Sequence, residues 1–136
     1  MSRENVEVVR LWMEGLSEEG MPPLDLCDEQ IEIANVEEFV IQGAYNGHAG
    51  VRQWVTDAFD VVNDRRFELN EAIDTGDGET VVTVQRALGH SSHTGLKFNL
   101  LWAAVWTIRG GKAVHIQGYA SKAAALEAVG LRGMGA

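Results

Sequence analysis

The sequence predicts an α+β fold, a curved antiparallel sheet wrapped around N-terminal helices to form a cone with an internal pocket. Three observations predict it. Apolar residues recur at helical spacing as far as Val62 and alternate with a period of two from Arg66 onward. Residues 97 to 119 read as two long strands joined by Arg109-Gly110-Gly111-Lys112, where the glycines supply the positive φ angles of a two-residue hairpin turn. Long strands twist, a twisted sheet curves, and the helices are there to fill its hollow.

Each element follows in order. Ser2 caps a first helix in which Val6, Val9, Met13 and Leu16 share a face with Trp12 beside them, ending between Ser17 and Gly20. Pro22 and Pro23 open a short second helix through Leu24, Leu26 and Cys27, since proline suits a first turn. Ile31 to Ala34 alternates as a short strand, and a loop rich in Glu, Gly and Asn follows. Val51, Trp54, Val55, Ala58, Phe59 and Val62 make residues 48 to 62 an amphipathic third helix. Phe67, Leu69 and Ile73 mark one strand and Thr80 to Leu88 the next, with Gly76-Asp77-Gly78 turning between them. Gly89 to Gly95 is a polar loop, and a Ser121-capped helix follows the long hairpin.

The bulk properties exclude several classes of function. A chain of 136 residues forms one domain, 1–136, and buries a core without crosslinks. Eleven Lys and Arg against twenty Asp and Glu give a net charge of −9, which repels phosphate backbones, so nucleic acid is not an expected partner. No apolar run reaches the length of a spanning helix, and the first residues lack the layout of a signal peptide; the expectation is a cytoplasmic protein with no membrane role. Cys27 is alone, so neither an intrachain disulfide nor a cysteine metal cage is available.

Five stretches, SRENVEVVRLWMEG, AYNGHAGVRQWV, IDTGDGETVVTV, VWTIRGGKAVHIQGY and ALEAVGL, span nearly the whole chain in order. Through them it resembles the SnoaL-like family of the nuclear transport factor 2-like superfamily. The resemblance implies the cone fold. It does not name a reaction, because relatives include polyketide cyclases, ketosteroid isomerase, epoxide hydrolases and dehydratases. An isomerase-like site would want a tyrosine where Trp12 stands, a carboxylate base at Asn35 or Ala34, and a carboxylic acid near Ala103 to Val105. An indole N–H donates but does not shuttle protons, and the other positions do not titrate. The epoxide hydrolase pattern wants a carboxylate where Ile116 and Gly118 stand, and the cyclase pattern wants one within Gly118 to Ser121. None is present, whereas acid–base catalysis needs a group with a tunable pKa.

Strand parity from the Gly110-Gly111 turn pairs Trp106 with His115, Ala104 with Gln117 and Trp102 with Tyr119 on one face. Leu101, Ala103, Val105, Thr107, Val114, Ile116, Gly118 and Ala120 then make the other. The aromatic face fits either a homodimer interface through Trp102, Trp106, His115, Gln117 and Tyr119, or the wall of the pocket; comparison with isomerase strands favours the interface. The expected function is binding of a small, largely apolar molecule by Trp12, Asn35, Tyr45 and Trp54. The first alternative is a cyclase- or isomerase-type enzyme moving a proton with Glu37 or His115, and the second a homodimeric interaction module with a vestigial pocket. His90 and His93 are too few for a metal site, and no cofactor is expected. His48 belongs to the polar start of the third helix, with Asp57 and Asp60 on its wet face; Glu37-Glu38 otherwise reads as a solvated loop pair.

Overall fold

The computed structural model describes residues 2–35, 43–59 and 62–130. Along the chain run α1 (Ser2–Glu19), a 3-10 turn (Leu24–Leu26), β1 (Cys27–Asn35), β2 (Gly43–Asn46), α2 (Gly47–Phe59), β3 (Val62–Asp74), β4 (Thr80–Ser91), β5 (Lys97–Arg109), β6 (Lys112–Tyr119) and α3 (Lys122–Ala128). The strands form one curved, unclosed sheet in the order β2-β1-β6-β5-β4-β3. All neighbours are antiparallel except β1 and β6, which run parallel. The architecture is the α+β cone that the change of hydrophobic period predicts.

Several local expectations are corrected: Val62 opens β3 rather than ending the third helix, and β4 runs on through Gly89 and His90 to Ser91. The proline-led second helix is a single 3-10 turn, because Cys27 adopts extended backbone and opens β1. Burial explains that choice: Cys27, Ile31 and Ile33 are all buried in the hollow-side core, so the segment gains more from pairing with β6 than from another helical turn. The segment expected to be loop also contains β2, which pairs with β1 from Glu32↔Asn46 to Asn35↔Gly43.

The sheet buries both faces, unequally. Val9, Trp12, Met13 and Leu16 of α1 and Val51, Trp54, Val55 and Phe59 of α2 fill the hollow against inward residues of the strands. At the back, α3 lays Ala125 and Leu126 on Val82, Val84 and Ala103. Ser121 caps α3 by accepting from the Ala124 N–H at 3.1 Å. Gly15 lets the chain after α1 fold back tightly, since a Cβ there would lie 2.5 Å from Pro23 Cδ. Among the described residues, no helix is long and apolar enough to cross a membrane.

The hairpin β5–β6 holds the main departure from sequence-derived register. Its turn is as predicted, with Arg109 opposite Lys112 and Ile108 opposite Ala113. Beyond that Thr107 pairs with His115, so Val114 is an extra residue, a β-bulge. A slip of one residue moves every later side chain of β6 to the other face relative to β5. Trp106 therefore pairs with Ile116 and Ala104 with Gly118, while Val105 pairs with Gln117 and Ala103 with Tyr119. This corrects the proposed aromatic face. Trp102 and Trp106 turn into the cone, 9% and 1% exposed, and are separated from His115, Gln117 and Tyr119, which lie half-buried on the outside. The five residues therefore do not share one face of the sheet.

Candidate functional site

The hollow is lined from six elements and walled by indoles. Trp12 of α1 meets Trp106 of β5 edge to face, with ring centroids 5.0 Å apart and planes at 88°. Trp54 of α2 lies 6.1 Å from Trp12 and makes a second perpendicular contact with Phe59 at 5.4 Å. Both are favourable geometries for quadrupolar rings. Trp12, Met13, Ile33, Trp54, Gln85, Trp102, Ala104, Trp106, Ile116 and Gly118 enclose a remaining void of about 20 Å³, room for about one water.

One polar thread runs through this apolar wall. The Trp106 Nε1–H donates to Thr83 Oγ1 at 2.8 Å, and the Thr83 hydroxyl donates to Gln85 Oε1 at 2.6 Å. Thr83 and Gln85 are two apart on β4, hence on one face, at 0% and 2% exposure. The thread sits where Val81 pairs with Trp106, Thr83 with Ala104 and Gln85 with Trp102. Burying an amide and a hydroxyl is costly unless each finds a partner; here the hydroxyl has both its partners and the amide oxygen has one.

A match to the SnoaL-like domain family extends over residues 9–116, which takes in every element that lines the hollow. The chain belongs to the SnoaL-like domain family. Solved structures agree in fold. TerC, co-crystallised with polyporic acid, superposes with a TM-score of 0.71 at 25% identity, covering 91% of this chain and 96% of that one. A protein of ketosteroid isomerase-like fold from Catenulispora acidiphila, in complex with trimethylamine, gives 0.71 at 18% identity over 92% and 93%. A protein described as a SnoaL-like polyketide cyclase, from Jannaschia sp. CCS1, gives 0.68 at 14% identity over 87% of this chain and 85% of that one. No curated protein matches the chain in sequence.

Within this SnoaL-like domain the residues singled out from sequence scatter. Trp12 and Trp54 line the hollow together. The Trp12 Nε1–H, however, is directed to Cys27 Sγ at 3.2 Å and so is not offered to a ligand. Burial pushes the Cys27 thiol above its ordinary pKa, and that indole contact opposes the rise. Asn35 ends β1 in register with Gly118 and Gly43, one step beyond Ile33 and Ile116. Tyr45 is not part of the hollow's lining: its hydroxyl donates to Asp57 Oδ2 at 2.8 Å on the surface, and partial burial with that carboxylate raises its pKa. His115 is likewise outside, with Nε2 3.2 Å from Glu32 Oε1 across the parallel pair. Glu37 and Glu38 lie outside the described residues.

His90, near the end of β4, and His93, in the turn that follows, do not converge either. His90 Nε2 is 3.6 Å from Asp64 Oδ2, and His93 is exposed. Among the described residues, no three His, Cys, Asp or Glu side chains are placed to hold a metal ion. His48 points its ring nitrogen Nε2 at the Cys27 carbonyl oxygen, 2.9 Å away, fastening α2 to β1. Sequence reasoning missed Thr83 and Gln85. Their signal was present, as two polar side chains between Val81 and Ala87 on the same strand parity.

Proposed function

We propose that this SnoaL-like domain binds a small, flat, largely apolar molecule in the tryptophan-walled hollow. The observation that carries the reading is the lining itself: aromatic and aliphatic side chains from α1, α2, β1, β4, β5 and β6, with one polar side chain among them. Small-molecule sites have this make-up, an apolar wall with a few fixed polar groups. Proton-transfer chemistry of the cyclase or isomerase type draws less support, since none of the described lining residues is an acid or base. A ring larger than the present void requires side chains of the wall, such as Trp54, to move aside.

The test is a tryptophan-fluorescence titration, with polyporic acid as the first probe because TerC was co-crystallised with it. Saturable quenching that survives His115→Ala and Glu37→Gln but is lost in Trp12→Ala supports binding. Loss of binding or turnover in Glu37→Gln supports an enzyme instead. A second reading, a homodimeric module with a closed hollow, is favoured by the small size of the void. Its contact face would be the outer side of β5–β6, with Val105, His115, Gln117 and Tyr119. It predicts a dimer in light scattering and no saturable quenching by any flat aromatic probe.

A further inference from the structure

The polar thread has a direction, and the direction fixes what its free end can recognise. An indole N–H is a donor only, so Trp106 obliges Thr83 Oγ1 to accept. The single hydroxyl proton of Thr83 is then available to donate, and Gln85 Oε1 receives it at 2.6 Å. That contact sets the amide's orientation: oxygen toward Thr83, NH2 away from it. Among the described residues no group accepts from Gln85 Nε2. Nor does any fully enclosed side-chain nitrogen or oxygen lack a partner there, so the Nε2 group borders the open space that Gln85 lines. A water would satisfy it poorly, because the other polar side-chain groups of this lining are indole N–H donors, which leave a water's own two protons without a side-chain acceptor.

Resting on the binding reading above, we infer that Gln85 is the specificity-determining residue of the hollow and that its ligand is an apolar ring bearing a hydrogen-bond acceptor oxygen, such as a ketone or quinone carbonyl. Thr83 is a positioning residue: without its hydroxyl the amide is free to turn its oxygen inward and reject the same ligand. The Trp106 indole holds Thr83 in turn. A ring without the oxygen leaves a buried donor unmade, which costs more than the bond itself contributes.

The probes are 1-tetralone and tetralin, which share a ring system and differ by C=O against CH2. Wild-type protein is expected to bind 1-tetralone about 10-fold more tightly than tetralin. Gln85→Leu should bind both alike while keeping its affinity for tetralin, with Gln85→Met as the second variant if the first fails to fold. Thr83→Val should lose most of the preference, and Thr83→Ser, which keeps the hydroxyl, should restore it. Equal wild-type affinity for the two probes, or an unchanged preference in Gln85→Leu, overturns the inference and leaves the binding reading intact. Binding of neither probe overturns both.

Discussion

The two faces of the β5–β6 hairpin are made of the same kinds of residue and are held by different physics. Inside, Trp102, Ala104, Trp106, Ile116 and Gly118 line the hollow, and the Trp106 N–H is linked through Thr83 to Gln85. Outside, His115, Gln117 and Tyr119 keep part of their surface in solvent, and the contact from His115 goes to an equally exposed Glu32. The difference originates in one residue, since without the Val114 bulge His115 and Tyr119 would share the tryptophans' face. Identity of side chain therefore says little about site membership here; register decides it.

Inserting one alanine after His115 attacks that difference most directly, whereas deleting Val114 would only make the ladder regular with the same faces. The insertion must either place Gln117 and Tyr119 in the apolar hollow with Ile116 outside or break the pairing of β6, and the expected result is loss of cooperative unfolding and of near-UV dichroism. Trp106→Ala should come next, costing about 3–5 kcal/mol by chemical denaturation through lost packing and a cavity beside Trp12. Thr83→Val should cost about 1–3 kcal/mol, because it removes the hydroxyl that joins the Trp106 N–H to Gln85 Oε1 and leaves both buried groups without it. His115→Ala, on the other face, is expected to change stability by less than about 1 kcal/mol.

Acid sensitivity should separate the two regions too. On the surface turn between β3 and β4, Asp77 accepts from the Thr80 hydroxyl and from the Glu79 and Thr80 N–H groups, which hold its pKa down at about 2 against an ordinary 3.8. A carboxylate depressed in the folded state stabilises it above the unfolded value, and that contribution is lost as pH falls through the folded one. Denaturation midpoints of the wild type should thus drop from about pH 4 toward about pH 2 more than those of Asp77→Asn, by a small margin since the turn is exposed. Thr83→Val should run parallel to the wild type across the same range, its thread having no titratable member.

The sequence carried local information well and long-range information poorly. Helical spacing of Val9, Met13 and Leu16 placed α1, the double glycine placed the hairpin turn, and Ser121 placed the last helix. Trp12 and Trp54 were legible as hollow residues because each sits on the apolar face of its helix. The bulge was not legible, since Val114 is as suited to a regular strand as to an extra position. Nor was the parallel pairing of β1 with β6, whose partners lie some eighty residues apart, as with Ile33 and Ile116. The displacement of Tyr45 follows from a partner, Asp57, one helix away. Thr83 and Gln85 show the remaining gap: the eye goes to acids, bases and aromatics, while a buried amide announces itself only through strand parity.

That parallel pairing also sets an order of events during synthesis. β1 is made early, yet the strand it must lie beside is completed only with Tyr119. At about 5–20 residues per second, the nascent chain carries β1 for several seconds with only the four residues of β2 to cover its backbone edge. Ile31 and Ile33 are exposed for that interval in a segment rich enough in β-branched residues to pair with a neighbour. Closure of the cone is thus a late, all-at-once step that waits for the last strand. A ribosome stalled before Lys112 should display a chain with formed helices, an open β3–β4–β5 meander and a sticky first strand.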